Sequence, residues 1–319
     1  MLVVRPKKIQ RLQRNLQNIF QERPTSKIGF RCSVHVYLPG RTASNRLQAD
    51  QGLKQVRASL YQVVTFAEHV FHGNPAQVLV LEGKMQASVI TDVCKLLGAD
   101  VLAVIQDPSA RQPHLSFFTA NGSHPGAGHA AHAAGHIALD WPGTSRTELT
   151  FELPDRARLN VRRNEHGVAV DWPVMPYEII SNDKKIAAAI KMQPLACFVS
   201  TFGYTAILPT EADIQHLAPD LSIIAGLDRN ALVVTSKGEN SDIAIRVFAP
   251  RVGLPEDPVC GTAHRIIVPY WANQLGKSAL HSRQLSPRGG DLWCSQKENQ
   301  VTIAGPSITS FEGILHLPD

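Results

Sequence analysis

The sequence predicts an α+β protein of two similar domains with a cleft between them. Three observations carry that prediction. Strand-like runs recur along the chain from about Tyr61, each half holds one Ala- or Gly-rich helix among its strands, and the turn-rich Pro173–Pro176 stretch divides the two runs. A chain of 319 residues can bury two cores of ordinary size. Its hydrophobic share of 44% and charged share of 18% are those of a soluble globular protein. No apolar run reaches the roughly 18 residues that a spanning helix needs, so no membrane role is expected. Residues 1–58 read as a basic N-terminal extension, 59–174 as the first α/β domain and 175–319 as the second.

The elements follow in order. In the first 20 residues Ile9, Leu12, Leu16 and Ile19 fall at helical spacing, with Arg11 and Arg14 between them and Pro24 just beyond. An Arg-rich, acid-poor amphipathic segment reads as an organellar transit segment, with a basic tail or a mis-assigned start as the other readings. "YQVVTF" and "AQVLVL" read as strands joined by the turn His72–Pro75, and Met85–Gly98 reads as a helix that Gly98 stops. "VLAVIQ" and "HLSFFTA" are strands, Gly128–Leu139 is an Ala-rich helix, and Glu148–Trp172 holds three period-2 strands. In the second half "TAILP", "ALVVTS" and "IAIRVFAP" are strands and Gly261–Gly276 is a helix. "SRQLSP", "DLWCSQ", "QVTIAG" and "GILHL" close the chain as strands.

Charge is uneven. Residues 1–60 hold 12 Lys/Arg against Glu22 and Asp50, a net of +10; the total of +5 therefore leaves the body at −5. A mildly acidic body without a basic stripe is not expected to bind nucleic acid. Five cysteines (Cys32, Cys94, Cys197, Cys260 and Cys294) lie far apart, odd in number and without a CxxC pair. This usage predicts a reducing compartment, the cytoplasm, or an organelle if residues 1–20 act as a transit segment.

Three stretches carry chemistry. In "RVFAPRVGLPEDPVCGTAH" a helix opens at Gly261–Thr262, where free N–H groups and the helix dipole suit a carboxylate or a developing enolate. Cys260 at the same end is expected to have its thiolate stabilised. Asp257, held extended before Pro258, either faces the cleft or serves as a helix cap. Cys260 and His264, one helical turn apart, also fit a thiol hydrolase. In "FFTANGSHPGAGHAAHAAGHIAL" His129, His132 and His136 share one helix face at i, i+3 and i+7, but no carboxylate joins them, so metal binding is not the favoured reading. His129 stands apart, at the helix start after Gly128, where an imidazole can meet a bound anion. In "SPRGGDLW" Arg288, before Gly289, reads as a clamp for a substrate carboxylate or as an ordinary turn arginine.

From about Tyr61 onward these pieces resemble the phenazine-biosynthesis PhzF-like family. "FHGNPAQVLVL" is similar to its G-N-P-A turn and strand. The His129 segment is similar to its F-F-T-P…G-H-x-T…A-A-H stretch, and "RVFAPRVGLPEDPVCGTAH" to its R-x-F-x-P…G…E-D-P-V-T-G-S-A-H signature. The resemblance implies the diaminopimelate epimerase-like fold, two pseudo-symmetric domains that each wrap a β-barrel-like sheet around a central helix. It implies an isomerase without cofactor or metal that moves a proton at carbon in a small carboxylate-containing substrate, and a homodimer. Carried over by position, Asp257 and His129 are acid/base or hydrogen-bonding groups, joined by Cys260 where related racemases have a catalytic cysteine. Gly128, Gly261, Thr262, Arg288, Gly289 and Asn74 are the substrate-binding positions. The family's glutamate after the first helix falls on Val101. Asp100 beside it is expected to point to the opposite face of the strand. Loss of that glutamate supports the other reading, a degenerate homologue that binds a small ligand or a protein.

Overall fold

The computed structural model describes residues 55–181 and 183–318; the expected amphipathic segment in residues 1–20 lies outside the described residues. Among the described residues seventeen strands join in one sheet. The first half contributes β1 (Gln55–Thr65), β2 (Asn74–Leu81), β3 (Leu102–Gln106), β4 (His114–Thr119), β5 (Gly122–His124), β6 (Glu148–Glu152), β7 (Arg158–Asn164) and β8 (Gly167–Pro173), with helices α1 (Ala87–Leu97) and α2 (Gly128–Leu139). The second half contributes β9 (Tyr177–Ile180), β10 (Ala196–Ser200), β11 (Gly203–Ile207), β12 (Ala231–Lys237), β13 (Ile243–Phe248), β14 (Ala279–Gln284), β15 (Gly290–Lys297), β16 (Gln300–Gly305) and β17 (Ser307–Pro318). Its helices are α3 (Lys184–Ile190), α4 (Glu211–Gln215), α5 (Leu221–Ala225) and α6 (Gly261–Leu275).

The two halves repeat one pairing order. β1 pairs antiparallel with β2, β2 parallel with β3, β3 antiparallel with β4 and β4 parallel with β6, after which β6, β7 and β8 form a meander. In the second half β10 through β16 follow the same alternation, with parallel pairs at β11–β12 and β13–β14. The halves join where β8 pairs with β16. While β9 lies on β10 within its own half, the second half also lends a strand to the first: β17 runs along β1 from Gln55↔Pro318 to Thr65↔Ser307. That long pairing explains why β1 starts six residues before the expected strand at Tyr61.

Each half wraps its sheet around one helix. Ten of the twelve residues of α2 are buried, among them Ala130, Ala131, Ala133, Ala134 and Ala138. Small side chains on every face let the strands approach: a Cβ on Gly135 would lie 2.6 Å from Val161 Cγ1. Helix α6 fills the second core with Ala263, Ile267, Val268 and Trp271. Pro269 inside α6 has no N–H to donate to the Arg265 carbonyl one turn earlier. Met175 N–H takes that carbonyl at 3.0 Å, so the helix defect docks the Pro173–Pro176 connection. Helix α1 packs outside the first half through Ile90, Val93 and Cys94, and Gly98 closes it in the left-handed conformation, as expected.

Candidate active site

Glu256 and Asp257 are neighbours in sequence with different partners. Glu256 accepts a bidentate pair from Arg246, Nε at 2.7 Å and Nη2 at 2.9 Å, and fixes the loop between β13 and α6. Among the described residues Asp257 has no such cation. Asn74 Nδ2 donates to its Oδ1 at 2.9 Å, the Cys260 thiol donates to it, and its own N–H donates to Val247 O at 2.9 Å. Burial raises its pKa from the usual 3.8 to about 6, opposed by the Cys260, Val259 and Asn74 hydrogen bonds and assisted by the charge of Asp100. Asp257 is therefore ionised at neutral pH yet more basic than a solvated aspartate.

Three buried polar side chains frame the loop. Gln284 Oε1 accepts from Cys260 N–H at 2.8 Å and its Nε2 donates to Asp257 O at 2.6 Å. Ser286 Oγ donates to Pro258 O at 2.6 Å. Asn74 Nδ2 donates a second time, to Val259 O at 2.9 Å.

Cys260 departs from expectation. Burial first, then the charge of Asp257, push its pKa well above the usual 9.0, and the N–H groups of Ala263 and Thr262 pull the other way without prevailing. The helix end alone favours a thiolate; a nearly dry site facing a carboxylate reverses the outcome, and Cys260 is a neutral thiol. His264 does not serve it as a base. Its Nδ1 lies 2.8 Å from Cys260 O and its Nε2 2.8 Å from Ser282 Oγ, so neither ring nitrogen is on the sulfur.

The N-termini of α2 and α6 meet beside this carboxylate. A Cβ on Gly128 would lie 3.1 Å from Gly261 Cα and 3.3 Å from Thr262 N. A methyl at Gly128 would force one of the two backbones to give by a few tenths of an ångström. Neither helix start has a side-chain cap hydrogen bond, whereas α3, α4 and α5 are capped by Asp183, Thr210 and Asp220. Two partial positive charges and two sets of uncapped N–H groups thus converge. Phe66 stands in the same junction. It holds φ +63°, and a Cβ on Gly261 would lie 3.7 Å from its Cζ. Its ring centroid is 4.6 Å from that of His132.

His129 sits in the first turn of α2, partly buried. Burial, then its neighbours His132 and His124, lower its pKa to about 4, so the ring is neutral at physiological pH. The other histidines of that face are engaged elsewhere. His132 has Gly128 O and Ile303 O at 2.8 Å on its two nitrogens, and His136 Nε2 lies 3.1 Å from Thr309 Oγ1.

The structure brings Gly128, the residue before His129, against Gly261 and Thr262, next to the loop that carries Asp257 and Cys260. Three other expected substrate-binding positions have partners within the protein. Asn74 has its amide donors on Asp257 and Val259 O. Arg288 donates to backbone carbonyls, Nε to Gly73 O and Nη2 to His72 O, both at 2.7 Å. Gly289 accepts from Gly73 N–H at 2.8 Å and donates to Ser286 Oγ at 3.1 Å. All three hold loops together. Val101 and Asp100 do not lie on a strand either: β3 begins at Leu102, so alternation does not govern them. Val101 packs against the first core, and Asp100 is exposed, its charge felt at Asp257. Sequence reasoning missed Gln284, Ser286 and Phe66. A polar residue at a buried position of a period-2 strand was the available signal for Gln284.

The Phenazine biosynthesis-like protein family (PhzC-PhzF) matches residues 63–313. An uncharacterized isomerase of Pseudomonas aeruginosa is 30% identical over 261 residues, 81% of this chain and 99% of the relative. The crystal structure of a phenazine biosynthesis protein of the PhzF family from Enterococcus faecalis superposes with a TM-score of 0.77 at 30% identity. It covers 82% of this chain and 100% of that one. A hydroxyproline epimerase from Agrobacterium vitis shares the fold, with a TM-score of 0.55 at 11% identity over 84% of this chain and 95% of that one. With its repeated halves, each around one helix, and its family match spanning both, the chain belongs to the phenazine biosynthesis-like PhzF family and has the diaminopimelate epimerase-like fold.

Proposed function

We propose that the chain is an isomerase that shifts a proton between carbon atoms of a small carboxylate-bearing substrate. The observation that carries this reading is the meeting of two uncapped helix starts at Gly128 and Gly261 beside Asp257, a half-buried carboxylate without a cation among the described residues. The N–H groups of Gly128, Gly261 and Thr262 receive the substrate carboxylate and stabilise the enolate-like charge that grows as a neighbouring C–H bond breaks. Asp257 takes that proton, becomes a carboxylic acid, and returns the proton to carbon to complete the shift or the epimerisation. A pKa of about 6 suits both halves of this exchange near neutral pH. His129, neutral, donates a hydrogen bond to the charged intermediate. Cys260 donates its S–H to Asp257 and so tunes the base instead of acting as a nucleophile.

The test is deuterium uptake from D2O into a panel of small carboxylates, read by NMR or mass. The expected outcome is exchange by the wild type, lost by about 10²–10⁴-fold in Asp257→Asn. In Cys260→Ser the drop is roughly tenfold, because a serine hydroxyl still donates to the carboxylate. Exchange that survives Asp257→Asn removes Asp257 as the base. Carboxylate binding without exchange by the wild type identifies a binding homologue instead.

A further inference from the structure

We infer that Arg288 is a positioning residue for Asp257, acting through the turn that carries Asn74. The turn between β1 and β2 is poorly anchored by packing: residues 68–72 are exposed, with Phe71 at 70%. Its hold on the second half comes from the β14–β15 connection. Arg288 Nε donates to Gly73 O at 2.7 Å, and its Nη2 donates to His72 O at 2.7 Å and Val70 O at 3.2 Å. In return Gly73 N–H donates to Gly289 O at 2.8 Å. Gly73 has no latitude of its own, since it holds φ +65° and a Cβ there would lie 2.2 Å from Thr65 O. The next residue is Asn74, whose amide reaches back to Asp257 Oδ1 and Val259 O, both at 2.9 Å.

The path therefore leaves the second half at Arg288, passes through three carbonyls of the first half and returns at Asp257. A planar guanidinium can serve three carbonyls from one side, which a lysine ammonium on a flexible stem cannot reproduce. Asn74 donates to the ionised form of Asp257, so a turn that drifts by about an ångström weakens the bond that favours ionisation. Arg288 thus holds the turn in place through Nε and Nη2.

The experiment titrates the Asp257 carboxyl by 13C NMR in the full chain, the signal assigned by its loss in Asp257→Asn. In Arg288→Ala the midpoint is expected to rise by roughly one pH unit, the size of one lost hydrogen bond to a charged group. Asn74→Ala gives the same rise, and Arg288→Ala in the Asn74→Ala background adds nothing to it. Arg288→Lys gives a smaller rise, and it carries the test if the alanine variant does not fold. An unmoved midpoint in a folded Arg288 variant overturns the inference, as does an additive double variant. The kinetic counterpart, an upward shift of the acid limb of the exchange profile, rests on the isomerase reading; the NMR midpoint does not. Absence of exchange in the wild type thus fails that reading alone, while an unmoved midpoint fails this one.

Discussion

Glu256 and Asp257 share a sequence neighbourhood, and what separates them comes from strands far away: Arg246 on β13 for one, Asn74 on β2 for the other. A half-buried carboxylate without a cation among the described residues is a cost to folding that rises with pH. The native pKa of Asp257, about 6, lies above its usual value, so the folded state binds the extra proton. Stability from this group is present below about pH 4 and lost as pH rises through 6. Asp257→Asn removes the buried charge and keeps an oxygen for Asn74 to donate to. It is expected to be more stable than the wild type at pH 8 by about 1–3 kcal/mol, with no difference near pH 4. Urea denaturation at the two pH values measures it, and an equal or lower stability at pH 8 contradicts the burial argument. A more stable but inactive variant is also what strain held at a functional site predicts.

Helices α2 and α6 show which elements local sequence can specify. Ala-rich segments bounded by glycine were readable as buried helices, and period-2 runs as strands, because propensity and periodicity agree there. Short elements that depend on what packs against them were not: β9, β10 and α3 escaped, being four, five and seven residues long. The site divides along the same line. The helix start at Gly261 was legible from its residues, whereas the protonation of Cys260 follows from how deeply the folded chain buries it, and the partners of Arg288 and Asn74 lie 183 to 218 positions away. The approach of the two helix ends is the element-scale feature most open to test. Alanine for glycine ordinarily favours a helix by about 1 kcal/mol. In Gly128→Ala the new methyl meets backbone of the facing helix 3.1–3.3 Å away, and backbone cannot swing aside as a side-chain tip can. The expected outcome is a net loss of about 1–2 kcal/mol in stability and exchange reduced at least tenfold. A stabilised, active variant would show that the two ends have room between them.

The two halves are knit by their strands. β17 of the second half runs the length of β1 and β8 pairs with β16, so the first half has no full sheet without the chain of the second. The helix ends, Phe66 and three histidines all lie where the halves meet. Neutral histidines there set the acid limit of the fold. His129 and His264 have pKa values near 4, and burial lowers His132 as well, against an ordinary 6.5 in the unfolded chain. Between pH 6.5 and 4 the unfolded chain therefore binds two to three more protons at these histidines, and the native state binds one more at Asp257. The unfolded excess is roughly one to two protons, so stability is expected to fall on acidification by roughly 1.4–2.7 kcal/mol per pH unit across that window. Asp257 opposes the trend without reversing it, since one raised carboxylate stands against two or three depressed imidazoles. Urea midpoints followed by tryptophan fluorescence from pH 7 to 4.5 measure the slope. A stability that stays flat or rises on acidification would mean that the junction histidines are charged, and a junction of charged imidazoles against two positive helix ends could not hold together as this one does.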